Sequence, residues 1–384
     1  MNRSKTKIKM ETVSITKVPD YDEERVYIAL VRTIDSLGGI RKFVSRGDRV
    51  LLKPNLLSGN PPERAVTTHP AFIKGVARIV LEAGGIPSIG DSPALASLHR
   101  VAKKSGVTQV AKELGIKFLE FTDSVIVSPQ KNHLYKKIEI ARPLLEVDKV
   151  INLPKIKTHS QMLMTLGVKN LFGCVVGKRK AIWHLEAGKD RDAFATMLLE
   201  IYARINPALT LVDGIVGMEG NGPGRGDPRH IGLIIGGKDG VAIDRVIAQI
   251  LKIESRLIPT LRVAERKGYG ETNLEKIEIK GEKISDVQVK NYKLPRSVAL
   301  EMFSFSLSGL IRNLFTSMPY PNPKNCSLCK NCLEVCPSKA MEIKGKKVEV
   351  DYNRCIRCFC CQEICPEGAI EIKYGLFSRL IRST

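Results

Sequence analysis

The sequence predicts an α/β fold, a mostly parallel sheet with flanking helices, plus a small α+β domain at the C-terminus. Three observations predict it. Short apolar runs that end abruptly in polar residues alternate with helical-period stretches from residue 11 to about residue 290. Nine of the ten cysteines lie between Cys326 and Cys365. Pro319, Pro321 and Pro323 mark a stiff, extended segment between the two regions. The expected layout is an α/β domain over 1–290, a helical and proline-rich linker over 291–323, a cysteine-rich domain over 324–373 and a tail over 374–384.

The elements follow in order. ETVSITKV alternates as a strand, and residues 22–37 read as a helix. RVLLKPN is a strand with a polar end. HPAFIKGVARIVLEAGG is an amphipathic helix with a glycine stop, with Thr68 or His69 near its cap and Pro70 at its first position. IPSIGDSP is the next strand; helical text runs to Gly115, and IKFLEF follows. DKVINLPKIKTH reads as one strand with a polar end, with helices expected around 161–171 and 190–205. ALTLVDG and HIGLIIGGKDG are strands, and VAIDRVIAQILKI is a helix. The apolar stretch after Pro295 is helical in tendency. It can pack one domain on the other or rest on a membrane surface, but Glu301 and Arg312 exclude a comfortable span. The tail GLFSRLIRST is a basic amphipathic end that can dock beside it.

The cysteine runs carry the most specific chemistry. Cys326, Cys329, Cys332 and Cys336 fit C-x2-C-x2-C-x3-C-P, as do Cys355, Cys358, Cys361 and Cys365. In such a pair, three thiolates of one run hold a [4Fe–4S] cubane and the fourth crosses to the other. One site is therefore Cys326, Cys329, Cys332 and Cys365; the other is Cys355, Cys358, Cys361 and Cys336. Cys360 is spare and is expected as a small buried side chain near a cluster. Zinc is the rival reading of paired C-x2-C units, but two complete four-cysteine runs favour clusters. A disulfide framework is disfavoured by the crowding of the cysteines. AMEI (340–343) and AIEI (369–372), one after each run, should be strands leaving a cluster.

Composition bounds the partners. The formal charge is +21 with 43% hydrophobic residues. Two cubanes with their thiolates remove about four charges, so the loaded protein stays basic. Lysines are scattered and aromatics are 5%, which argues against nucleic acid. An anionic small molecule or an acidic protein fits better. No window suits a transmembrane helix, and the basic start lacks an apolar signal region. The expectation is a cytoplasmic protein.

Candidate binding residues fall at strand ends, where open parallel sheets bind ligands. Lys53 and Asn55 follow one strand, Asp91 another, Asn152, Lys155, Lys157 and His159 a third, and Asp213 a fourth. The expected catalytic set is His159, Asp91 and Lys155. The expected substrate-binding set is Lys53, Asn55, His69, Lys157, Lys169, Asn170 and Asp213. Lysines would hold phosphate or carboxylate; the aspartates would orient hydroxyls, accept protons or hold a metal; His159 and His69 suit acid–base work. GMEGNGPGRGDPR is either an anion-binding nest or a long ordered loop or lid. GCVVGKRK lacks P-loop spacing and has Arg179 where Ser or Thr would stand, so Cys174 there is a packed residue or, alternatively, a reactive thiol.

Residues 320–373 resemble the bacterial two-cluster ferredoxins. LLKPNLL, TTHPAFIKGV, IGDSP, INLPKIKTHSQMLMTLGVKNLFGCVVGKRKAIWH and LVDGIVGMEGNGPGRGDPRHIGLIIGGKDGVAID resemble the domain of unknown function 362 family, over about residues 48–250. That resemblance implies the domain layout and a C-terminal two-cluster module, but no reaction. Two functions fit. One is a reductase that takes electrons from a soluble donor and passes them to an anionic small molecule or cofactor in the α/β cleft. The other is a non-enzymatic electron-transfer protein whose α/β domain docks a redox partner, as donor or acceptor.

Overall fold

A computed structural model describes residues 10–128, 133–177, 179–295 and 317–373. The strands are β1 (Glu11–Lys17), β2 (Arg49–Pro54), β3 (Ile86–Ile89), β4 (Lys117–Phe118), β5 (Ser124–Val127), β6 (Ile138–Ala141), β7 (Lys149–Leu153), β8 (Lys155–His159), β9 (Leu163–Thr165), β10 (Leu209–Glu219), β11 (Asp227–Gly237) and β12 (Ile277–Gly281). All but the β5–β6 ribbon join one ten-stranded sheet in the order β12-β1-β11-β10-β7-β2-β3-β4, with β8 on β10 and β9 on β8. The run β10-β7-β2-β3-β4 is parallel throughout. β11 is antiparallel to both β10 and β1.

Strand periodicity decides how the sheet is covered. In β2, Val50 and Leu52 join one apolar core with Val26 and Leu30 of helix Glu23–Ser36 and with Phe72 and Val76 of helix Pro70–Glu82. The intervening Leu51 joins the opposite core, with helices Arg191–Ile205, Gly240–Ile250 and Pro259–Lys267. Both faces are dry, which is why the strands read as continuous apolar runs.

Three local expectations change. DKVINLPKIKTH is two strands, because Pro154 has no N–H to continue a ladder and the chain shifts there from β7 to β8. The helix expected over 161–171 is instead β9, followed by the short helix Gly167–Asn170. Asp244 anchors that turn by accepting hydrogen bonds from Gly167 N (2.7 Å) and Val168 N (3.2 Å). Pro319 and Pro321 lie in β13 (Met318–Pro321), which pairs antiparallel with β16 (Ile370–Lys373) inside the cysteine domain. Proline is tolerated there because a two-stranded ribbon leaves outward N–H positions unused. β14 (Met341–Lys344) and β15 (Lys347–Val350) form the other ribbon, so a strand does follow each cysteine run. Most of the expected linker helix and the tail lie outside the described residues. Among the described residues, no helix is long and apolar enough to cross a membrane.

Candidate functional site

Strands β2, β3, β7 and β10 run parallel; the first three deliver Lys53, Asn55, Asp91 and Asn152 at or near their carboxyl ends, whereas Asp213, expected after its strand, lies mid-strand because β10 continues to Glu219. Above them lies a cavity of about 240 Å³. The sheet side contributes Lys53, Asn55, Asp91, Lys157, His159, Lys169 and Asn170. The opposite wall comes from the cysteine domain, through Val335, Cys336, Cys360 and Glu363. Sequence reasoning missed that second wall, together with Phe172, Lys180, His184 and Pro223. Nothing local to those residues signals that the two domains meet there.

Most sheet-side groups are already bonded. Lys53 Nζ pairs with Asp91 Oδ1 at 2.9 Å and donates to Pro54 O. Asp91 also accepts from Leu56 N (2.7 Å) and Ser92 N (2.8 Å). A Cβ on Gly173 would stand 2.1 Å from Asp91 Oδ1 and 2.6 Å from Lys53 Nζ, so glycine is needed for this close approach. Asn170 donates to Asn152 Oδ1 and Lys53 O, while Asn55 donates to Asn170 Oδ1. Lys157 Nζ donates to Asn55 Oδ1 (2.8 Å) and Val66 O (2.7 Å). Burial, then the nearby Lys169 ammonium, pull Lys157 down to about 7. Lys180 is held by Ser92 and by Pro93 O.

Lys169 differs. Its ammonium faces the Phe172 ring at 5.7 Å. It has no hydrogen-bond or ion-pair partner among the described residues, and burial lowers its pKa. Among the described residues, Thr165 Oγ1 and His184 Nδ1 also have no hydrogen-bond partner, and both buried residues line the cavity.

His159 has a fixed tautomer. Its Nδ1 accepts from Gln161 N (3.1 Å) and Met162 N (3.2 Å), so the neutral ring carries its proton on Nε2. That nitrogen faces Glu363 Oε1 at 2.9 Å. Burial works against the Glu363 carboxylate, but His159 and the charge of Lys169 outweigh it and hold its pKa below the usual range. The approach is a close charge contact, and His159 Nε2 makes no hydrogen bond among the described residues.

Lys155, Asp213 and His69 are not on the cavity wall. Lys155 Nζ pairs with Asp213 Oδ2 at 2.7 Å and donates to the Tyr21 hydroxyl. Tyr21 donates to Asp213 Oδ1 (2.7 Å), and His69 N to Asp213 Oδ2 (2.9 Å). The His69 ring stacks on Tyr21 at 3.6 Å and caps its helix by accepting from Ala71 N. Period two puts Lys155, Lys157 and His159 on one face of β8, but Tyr21 and Asp213 separate the first from the other two.

The cysteine domain repeats its geometry. Leu328 and Lys330 in the first run, and Arg357 and Phe359 in the second, take left-handed φ, so each loop curls around its thiols. Cys326, Cys329, Cys332 and Cys365 surround a small cavity. Burial pushes the Cys332 thiol up to about 11, with Cys326, Cys365 and Cys329 adding to it. Cys361 is pushed well up by burial and then by Cys358, Cys355, Cys336 and Cys332, the last from the other set that the spacing implies. Cys336 Sγ accepts from Ala340 N and Cys365 Sγ from Ala369 N, both at 3.2 Å, as thiolate ligands do. These residues fit [4Fe–4S] ligation. Cys360 is buried, and its hydrogen bond is the main influence lowering Cys358. Cys174 is fully buried and pushed up to about 12 by that burial, so it packs.

The glycine-rich loop between β10 and β11 joins the domains. Arg225 donates to Cys365 O at 2.9 and 3.3 Å. Gly222 packs against β8, where a Cβ would stand 2.3 Å from Thr158 O. Ser160 Oγ bonds Gln362 Oε1 (2.7 Å), from the helix Cys360–Ile364.

Buried neutral histidines predict acid sensitivity. Burial lowers His159 to about 4 and His184 to about 3. Unfolded imidazoles bind protons below about pH 6.5 and these do not, so their stability contribution is complete above that pH and lost as pH falls toward 4. By about pH 5 each should have lost on the order of 2 kcal/mol. The urea midpoint should fall accordingly between about pH 7.5 and 5, less so in His184→Phe; a flat midpoint would contradict neutral burial.

Comparison with known proteins adds three findings. Residues 50–249 match a family model described as a domain of unknown function (362), and residues 318–366 match a 4Fe-4S dicluster domain. The chain is 41% identical over 306 residues to the thylakoid-associated protein sll1697 of Synechocystis sp., covering 80% of this chain and 94% of that protein. It aligns with the lactate racemase apoprotein of Thermoanaerobacterium thermosaccharolyticum at 12% identity and a TM-score of 0.41, over 62% of this chain and 57% of that one.

Proposed function

The chain belongs to the domain of unknown function 362 family and carries a [4Fe–4S] electron-transfer domain at its C-terminus; from that premise we propose that it is a reductase for an anionic small molecule or cofactor. The proposal includes two [4Fe–4S] clusters, held by the two crossed cysteine sets. When bound, they supply single-electron transfer. The carrying observation is Lys169, a half-buried ammonium without a bonded partner among the described residues, in a cavity whose far wall holds Cys336 and Cys360.

An anion there would offset the desolvation of Lys169 and Lys157. Asn55 and Val66 fix Lys157 in place, and its pKa of about 7 suits it to give a proton near neutrality. His159 and Glu363 close the wall between sheet and cysteine domain and exclude water. Asp91, already carrying three bonds, positions Lys53 and the Leu56 backbone. For any membrane contact we propose peripheral attachment, as the relative's thylakoid association suggests.

Native mass spectrometry of anaerobically purified protein tests this reading. The expected mass excess is two cubanes plus a small molecule. Lys169→Ala should keep the iron and lose the extra mass. Bound anion raises the Lys157 pKa, so binding takes up a proton near pH 7 and affinity falls as pH rises above it. Two cubanes alone, in protein that also fails to bind candidate anions by calorimetry, would favour the carrier function instead.

A further inference from the structure

The two cysteine sets have the same spacing but not the same surroundings. Cys355, Cys358 and Cys361 are 8%, 7% and 5% exposed, and their helix Cys360–Ile364 bonds to the α/β domain through Gln362 and Glu363. In the other set, Cys329 is exposed and Cys326 and Cys365 are only partly buried. The ligand cavity is lined by Cys336 and Cys360, from the inward side. The small cavity of the outward set is lined by Lys330, Val348 and Glu367.

The outward face has a basic collar. Lys324 and Lys330 are exposed beside Cys326 and Cys329, and Lys344, Lys346 and Lys347 are exposed on the ribbon whose Val348 meets the outward set. Glu342 and Glu349 pair with Lys344 and Lys347, and Glu367 lies nearby; Lys324, Lys330 and Lys346 form no ion pair among the described residues and are the exposed cations around a cluster that itself carries about −2.

We infer that electrons enter at the outward set, from an acidic one-electron carrier protein docked on this collar, and leave for the cavity from the inward set. The exit half rests on the proposed function; the entry half rests on exposure and charge alone. Each docking transfers one electron, oxidising the carrier and reducing this protein. Two dockings, with protons drawn from solvent, match a two-electron reduction in the cavity. The α/β domain makes the polarity, because it packs on the helix Cys360–Ile364 of the inward set and reaches the outward set at Cys365, through Arg225, while Cys329 stays exposed.

The test uses the holoprotein and an acidic single-cluster ferredoxin as the probe carrier. Combined Lys324→Glu, Lys330→Glu and Lys346→Glu should weaken carrier binding by about tenfold or more in calorimetry. The same variant should slow reduction by the reduced carrier while leaving reduction by a neutral photoreduced deazaflavin unchanged. A soluble paramagnetic gadolinium chelate should speed electron-spin relaxation of the signal lost in Cys329→Ala, and spare the signal lost in Cys358→Ala. Unchanged carrier binding, or equal relaxation of both signals, would overturn the inference. Failure of the reductase reading alone shows differently: the carrier docks at the collar, but the cavity binds nothing.

Discussion

Asp213→Ala should destabilise the protein by about 3–5 kcal/mol, the usual cost of leaving one member of a buried ion pair without its partner. Asp213 is fully buried and Lys155 is 1% exposed. The substitution strands the Lys155 ammonium and removes the acceptor for the Tyr21 hydroxyl and His69 N–H. It also breaks the tie between β10, β8 and the loop that caps the helix Pro70–Glu82. Asp213→Asn keeps an acceptor and should cost less, because burial already favours the neutral form of Lys155. Replacing both members by apolar residues, as in Lys155→Met with Asp213→Leu, should recover much of the loss. The urea midpoint of anaerobic protein measures this. A loss under about 1 kcal/mol would show that the pair is not the buried structural unit its geometry describes.

The second large effect concerns iron. Native protein should hold about eight irons, and removing one ligand from either set should bring the content to about four. Cys326→Ala and Cys361→Ala test one set each. They should differ in consequence. Cys361 adjoins Gln362, which bonds Ser160, so its loss should also loosen the cavity wall. Cys326 has no such contact among the described residues. Cys360→Ala should keep all the iron, since neither spacing uses that residue. Iron analysis with spin quantitation would decide. Loss of all iron from both single variants would argue for one shared assembly rather than two separate sites.

What was legible in the sequence has a common cause. The apolar runs of β2, β7 and β10 lie between two dry faces, so burial itself writes the pattern. Pro70 and His69 mark a helix start because capping is a matter of adjacent residues. The cysteine sets are legible because a cubane needs loops of set length, and the crossing of Cys336 and Cys365 follows from that repeat. Elsewhere local pattern misled. Residues 161–171 have helical composition, yet β8 offers an edge to Leu163–Thr165, and Asp244 holds the following turn from a distant helix.

Sequence alone determined the layered α/β domain, the paired cysteine runs of a 4Fe-4S dicluster domain, and the placing of Lys53, Asn55, Asp91 and Asn152 near parallel strand ends. Each depends on spacing along the chain or on the burial period of a single element. Tertiary structure alone decided which of those polar groups act together. It paired Lys155 with Asp213 away from the cavity, bound Lys53 to Asp91, and left Lys169 without a bonded partner among the described residues. It also brought Glu363 to His159, buried Cys355, Cys358 and Cys361, and left Cys329 exposed. These outcomes depend on contacts between residues far apart in the chain, and charge and thiol chemistry change with burial that no local spacing encodes.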